Sequence, residues 1–79
     1  MPRFYFDTVT SGTIVSDDEG TELPGVKEAT AEAIQDARAL MSAAIMSGLD
    51  ISKRSIQIRD EAGEIVLVIP FSDAVKPEV

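Results

Sequence analysis

The chain has 79 residues and a mass of 8.5 kDa, and it contains no cysteine, histidine or tryptophan. This composition excludes disulfides, thiolate nucleophiles, zinc–thiolate sites and any reaction that needs an imidazole base. Fourteen acidic against seven basic residues give a net charge of -7, which makes nucleic acid and anionic membranes poor partners. A chain of this size and apolar content is expected to form one domain, 1–75, followed by a flexible tail, 76–79.

The N-terminal part of the chain predicts a β-hairpin and a loop. Aromatic and β-branched residues alternate over 3–9, which indicates a strand. Gly12 permits the turn into a second, short strand over 13–16. The segment 17–25 holds four acidic residues, two glycines and one proline, so we expect an irregular loop there.

The centre and the C-terminal part predict a long helix and a second hairpin. Apolar residues recur every three or four positions over 26–47, which is typical of an amphipathic helix. Two further strands, 53–60 and 64–71, flank a short loop that contains Gly63. Residues from Ser72 onward show no regular pattern and are expected to fray.

The element order β-β-α-β-β predicts an α+β fold with two layers, a four-stranded mainly antiparallel sheet with one long helix packed on one face. The strand order 2-1-3-4 makes every neighbouring pair antiparallel. The residues expected to face the helix are Phe4, Phe6, Ile56, Ile58, Ile65, Leu67 and Ile69. Tyr5, Val9, Val66 and Val68 would then face away. Because one helix covers one side only, we expect an exposed apolar strip on the far face and a free edge at strand four.

Three acidic residues, Glu28, Glu32 and Asp36, recur at four-residue intervals on the predicted helix. Like charges at this spacing repel one another by a few tenths of a kcal/mol per pair. Two interpretations remain open. The acidic face is a solvated outer surface, or it presents an anionic contact surface to a basic partner.

The acidic loop from Asp17 to Glu22 could offer carboxylate oxygens to Ca²⁺ or Mg²⁺. If Gly20 took the glycine position of an EF-hand loop, Val15 and Val26 would fall at the first and last ligand positions. Valine offers no side-chain oxygen at either position, so the sequence predicts no metal or cofactor site. The loop is then either solvated or a weak cation binder.

Catalysis and nucleic-acid binding have little support in the sequence. A serine nucleophile without histidine needs a lysine base, and Lys27 and Lys53 lie in polar contexts. We therefore predict no enzyme activity and no catalytic residue. Lys53, Arg54 and Arg59 cluster around one strand, but in so acidic a chain they are expected to neutralise acids rather than to bind nucleic acid.

Three segments together carry a family resemblance: the opening Met-Pro-Arg-Phe-Tyr-Phe, the loop DDEGTELPG and the closing hairpin IRDEAGEIVLVIPFSDAV. With the Glu-Ala-rich helix between them, they resemble a family of short, uncharacterised proteins common in alphaproteobacteria, which is catalogued as a domain of unknown function. That family has no assigned activity, so the resemblance implies a family and not a function. No apolar run reaches the ~20 residues of a membrane span, and we expect a cytoplasmic bacterial protein.

A looser likeness is to the HicB-type antitoxin domain. This likeness rests on the aromatic opening Phe4-Tyr5-Phe6, the segment Leu23-Pro24-Gly25 and the Glu/Ala spacing that follows. From the sequence we expect a non-catalytic protein-interaction module, a homodimer that self-associates through the open sheet face or the edge of strand four. The alternatives are an antitoxin-like inhibitor of a small basic protein and a weak cation-binding domain.

Overall fold

One helix and five strands, followed by a short 3-10 helix, make up the part of the chain that the structure describes, residues 1–78. The structure is a computed structural model. The strands are β1 (Arg3–Thr10), β2 (Thr13–Val15), β3 (Thr21–Glu22), β4 (Ser55–Arg59) and β5 (Ile65–Pro70), the helix is α1 (Val26–Met46), and the 3-10 helix is Phe71–Ala74.

The strands form one open antiparallel sheet in the order β2-β1-β4-β5, with β3 paired to the start of β1. Tyr5 lies opposite Arg59 in the β1–β4 pair, and Gln57 lies opposite Val68 in the β4–β5 pair. The predicted α+β architecture and the predicted strand order are confirmed. The two-residue strand β3 falls where the sequence predicted a loop, because a bend at the acidic segment returns the chain to β1.

A β-bulge in β5 changes which residues face the helix. Ile58 lies opposite Leu67, but Arg59 lies opposite Ile65, so Val66 has no partner residue in the ladder. An extra residue interrupts the period-two alternation of a strand. Ile65 therefore shares a face with Arg59 and is 57% exposed, and its predicted place under the helix is wrong.

Small side chains bring the helix close to the sheet. Ala29, Ala33 and Ala37 are fully buried, and Met41 continues the same row one turn further on. Alanine adds little bulk and favours the helix, so this row lets α1 lie close against β4, β5 and the 3-10 helix. The rest of the core is Phe4, Ile56, Ile58, Ile69, Phe71 and Ala74.

The 3-10 helix closes the core where the sequence predicted a strand end and a frayed segment. Phe71 and Ala74 are buried, and the guanidinium Nε of Arg38 donates a hydrogen bond to the Ala74 carbonyl at 2.7 Å. Because two apolar residues three positions apart lie on one side of a 3-10 turn, the segment packs against α1. The predicted tail begins with exposed residues 76–78, and Val79 lies outside the described residues. Within residues 1–78, no helix has the length and apolarity to cross a membrane.

Candidate functional site

The helix covers only part of the sheet face on which it packs. The axes of the outer strands in a four-stranded sheet lie about 14 Å apart, whereas a helix is about 10 Å wide. α1 lies closest to β4 and β5, and Phe4 at the start of β1 is buried in the core with its alanines, whereas Phe6 and Thr8 further along β1 line an open space beside the helix. A groove consequently runs between α1 and β1, and we name it the α1–β1 groove.

The α1–β1 groove has a volume of about 290 Å³ and an apolar floor. Its lining residues are Phe6, Thr8, Asp36, Ala39, Leu40 and Ile56. Leu40 lies one turn from the buried Ala37 and next to the buried Met41, yet it is 42% exposed. Beyond the groove, Val15 of β2 lies opposite Thr8 and is 64% exposed. Among the elements of residues 1–78, none covers Leu40 or Val15.

Of the acidic residues predicted as a contact surface, Asp36 alone lines this groove. Glu32 and Glu28 are exposed at four-residue intervals before it on α1, and we name the three residues the acidic wall. Burial raises the pKa of the Asp36 carboxyl, and the negative charges of Glu32 and Asp17 raise it further. Within residues 1–78, Asp36 makes no salt bridge. The wall therefore carries negative charge that the described part of the chain leaves without a basic neighbour.

The opposite face of the sheet holds a closed polar network around Asp7, which is 1% exposed. The Arg59 guanidinium donates two hydrogen bonds to the Asp7 carboxylate, from Nε at 2.6 Å and from Nη2 at 3.0 Å. Gln57 Nε2 donates a third at 2.8 Å, and the Asp17 backbone amide donates a fourth at 2.9 Å. The Arg59 hydrogen bond is the largest cause that lowers the pKa of Asp7 to about 2, and it outweighs the opposing effect of burial. Asp7 thus stabilises the fold as a carboxylate.

The acidic loop folds over this network and uses its own carboxylate for internal hydrogen bonds. Asp17 accepts from the backbone amides of Phe6, Glu19 and Gly20 at 3.1 Å each. Burial raises the pKa of Asp17, but these donors together outweigh it and lower the pKa. Among residues 1–78, no three metal-ligating side chains come together in a way that could hold an ion. The loop is therefore a structured cover over the Asp7 network.

The predicted apolar strip on this face is narrower than the sequence suggested. Tyr5 is half-buried, and the Arg59 guanidinium carbon lies 5.1 Å from its ring centroid. Val66 and Val68 are exposed on β5, where Ile65 and Pro70 adjoin them. We name these four residues of β5 the β5 patch. The polar network and the loop cover the middle of this face, so its exposed apolar surface is limited to the β5 patch at one edge and Ile14 of β2 at the other.

A second groove, of about 360 Å³, lies at the end of α1 and beside the β1–β2 turn. Lys53 and Arg54 line it together with Leu49 and Asp50. The positive charge of Lys53 acts on the Asp50 carboxylate, so the acid and the base in this lining partly offset each other.

Asp7 is the residue that sequence reasoning missed. The one available signal was an acid inside an aromatic strand with an arginine on a later strand, but only the register reveals that Asp7 and Arg59 meet.

A comparison with protein families places the whole domain in one family. The family model described as "Domain of unknown function (DUF6894)" matches residues 3–72. No curated protein matches the chain, and no solved structure does. The matched range includes every strand and the helix, and it confirms the expectation of an uncharacterised family. The chain therefore belongs to the DUF6894 family, a domain of unknown function.

Proposed function

We propose that this chain is a non-catalytic protein-interaction module that self-associates through the β5 patch. The observation that carries the proposal is the exposed apolar edge of the sheet, where Val68 is 51% exposed and Ile65 is more so. The strand sequence from Ile65 to Pro70 contains no charged residue. Exposed apolar surface of this kind is typical of a contact with another protein.

The backbone of β5 supports pairing with a further strand. The Phe71 amide donates to the Arg54 carbonyl at 2.9 Å. Hydrogen-bonded positions alternate along an antiparallel pair, so Leu67 and Ile69 direct their amides toward β4 and Val68 directs its amide outward. Pro70 occupies an outward position, where its missing N–H interrupts no bond within the sheet. The edge therefore offers a short segment for strand addition.

A second copy of the chain is the occupant that fits this edge. Antiparallel pairing of two β5 strands about a two-fold axis at Val68 sets apolar residues opposite apolar residues throughout. It also keeps the acidic wall of α1 out of the contact, because Asp36 lies on the helix layer and borders the α1–β1 groove. A domain of this size gains stability from added apolar burial.

Sedimentation equilibrium across a range of concentrations tests self-association. We expect wild type to approach twice the 8.5 kDa chain mass and Val68→Lys to remain a monomer. Ile14→Lys is the matched control, since Ile14 has similar exposure but lies in β2 at the other edge of the sheet. Circular dichroism verifies that both variants fold. Wild type that stays monomeric at millimolar concentration would rule the proposal out.

A second function, inhibition of a small basic protein, is favoured by the acidic wall of the groove. Glu28 and Glu32 are exposed. Burial raises the pKa of Asp36, the negative charges of Glu32 and Asp17 raise it further, and Asp36 makes no salt bridge within residues 1–78. A basic partner would supply the missing positive charge, and such contacts speed association and set specificity.

Affinity capture at low salt, followed by a salt step, tests this second function. We expect a small basic protein to elute with salt, and the purified partner to rebind wild type. Charge reversal by Glu28→Lys with Glu32→Lys should abolish rebinding, whereas Asp73→Lys with Glu78→Lys, which reverses two exposed acids outside α1, should preserve it. Equal loss with the two double variants would mean that only net charge matters, and the acidic wall would then have no special role.

A further inference from the structure

We infer that the α1–β1 groove binds an amphipathic helix of another protein, with apolar residues on the floor of the groove and basic residues against the acidic wall. The inference rests on the second proposed function, because it takes the basic partner as given. It specifies that the partner docks in the α1–β1 groove and that the docking segment is a helix. It is independent of self-association through the β5 patch.

The dimensions of the uncovered sheet favour a helix as the occupant. Helices packed side by side lie 8–10 Å apart, and a helix at that distance from α1 would rest over β1 and β2. The lining there is mainly apolar, with Phe6 of β1, Ile56 of β4 and Leu40 of α1 along the groove, and Thr8 is its polar residue on the sheet. A second helix would complete the layer that α1 begins, and it would bury the side chain of Leu40.

The charges along the groove favour a basic partner. Asp36 lies in the wall, Glu32 adds negative charge one turn away, and Asp17 adds more from the loop. Arg38 cannot neutralise them, since its guanidinium bonds to the Ala74 carbonyl on the other flank of α1. An apolar partner would leave the Asp36 carboxylate more buried and still without a base, which is costly. Lysine or arginine on the edge of the docking helix removes that cost.

A second copy of this chain does not fit the groove. Its α1 carries Glu28, Glu32 and Asp36 on the flank that borders the groove, so helix-to-helix pairing would bring like charges together. No other helix long enough to span the groove occurs in residues 1–78, where the second helical element is the four-residue Phe71–Ala74 segment. The occupant is therefore a helix from a different protein.

Fluorescence anisotropy with a designed peptide tests the inference. The probe is a labelled helix of about 18 residues, five turns, with leucine on one face and lysine on its borders. We expect Leu40→Glu to weaken binding by about tenfold or more, because it places a charge on the groove floor. Ile45→Glu is the control on the same helix, since Ile45 is more exposed and does not line the groove.

Two further probes separate failure of the groove from failure of the acidic surface. A peptide of the same composition but scrambled order cannot present an apolar face, and we expect it to bind at least about tenfold more weakly. If it binds equally and Leu40→Glu has no effect, basic partners meet the acidic wall but no helix enters the groove. If Glu32→Gln with Asp36→Asn leaves binding unchanged, the second proposed function fails as well. Amide chemical-shift changes confined to Phe6, Thr8 and the groove flank of α1 would support docking.

Discussion

Two aspartates on opposite sides of the same sheet have opposite electrostatic environments. Asp7 is buried, accepts hydrogen bonds from Arg59, Gln57 and a backbone amide, and has its pKa lowered. Asp36 is half-buried, has acidic neighbours, and has its pKa raised. A buried acid with a full set of donors stabilises the chain that contains it. A half-buried acid among other acids instead costs stability as a carboxylate, and this is the surface on which we propose that a basic partner binds.

Substitution of Asp7 should have the largest effect on stability, because it removes the centre of the satisfied network. Asp7→Ala leaves the Arg59 guanidinium and the Asp17 amide without their acceptor. We expect a loss of about 4 kcal/mol in the free energy of unfolding, measured by urea denaturation. The exposed Asp73→Ala should change stability by less than about 0.5 kcal/mol. A loss below about 1 kcal/mol for Asp7→Ala would mean that the network contributes little.

The same network predicts an acid-sensitive stability. The pKa of Asp7 is about 2 in the folded protein, against 3.8 for the free side chain. A lowered pKa stabilises the fold above the unfolded value, so a contribution of about 2 kcal/mol is lost as the pH falls from about 4 to 2. Urea denaturation of Asp7→Asn over this pH range should show a smaller decline in the free energy of unfolding than wild type shows. An unchanged decline would assign the acid sensitivity to other carboxylates.

Gly20 tests how tightly the loop closes over this face. Its φ is +70°, and an added Cβ would lie 2.8 Å from Arg3 Cγ and 2.9 Å from Tyr5 Cε1. We expect Gly20→Ala to cost about 2 kcal/mol in thermal or urea unfolding. Gly12→Ala is the matched control, since Gly12 also has positive φ but open space around it, and it should cost about 1 kcal/mol. Equal losses would show that the backbone conformation alone accounts for the effect.

Substitution of Asp36 should have the smallest effect on stability, and it should raise stability rather than lower it. Asp36→Asn removes a carboxylate that burial and Glu32 disfavour, so stability at neutral pH should rise by a few tenths of a kcal/mol. Because a raised pKa destabilises the fold only where the carboxyl is ionised, the gain should disappear below about pH 3.8, the unfolded value. Thermal unfolding of both proteins at pH 7 and pH 3 checks this. A loss of stability at pH 7 would imply a base near Asp36.

The sequence predicts the layers of this fold better than it predicts the contacts across the sheet. The period-two and 3.6-residue patterns identify four strands, the helix and the strand order. The bulge that turns Ile65 outward leaves no mark in the pattern, because it arises from how β4 and β5 pair. Asp7 and Arg59 are 52 positions apart, and only the β1–β4 register brings them together.

The candidate site was predicted in part. Four-residue spacing places Glu28, Glu32 and Asp36 on one flank of the helix. Where the helix lies over the sheet depends on the packing of Phe71 and Ala74 against α1, and the sequence pattern there indicated an irregular end. The groove therefore became visible only with the tertiary structure.

The Phe6 amide of β1 donates to the Asp17 carboxylate at 3.1 Å, so it is held by a side chain of the loop rather than by a strand. Exchange of an amide proton for solvent deuterium requires that its hydrogen bond open. Exchange at Phe6 should therefore report lifting of the loop, whereas the amides of β1 that bond to neighbouring strands report separation of those strands. Exchange rates along β1 therefore distinguish two opening motions, the lifting of the loop at Phe6 and the separation of the strands at its other amides.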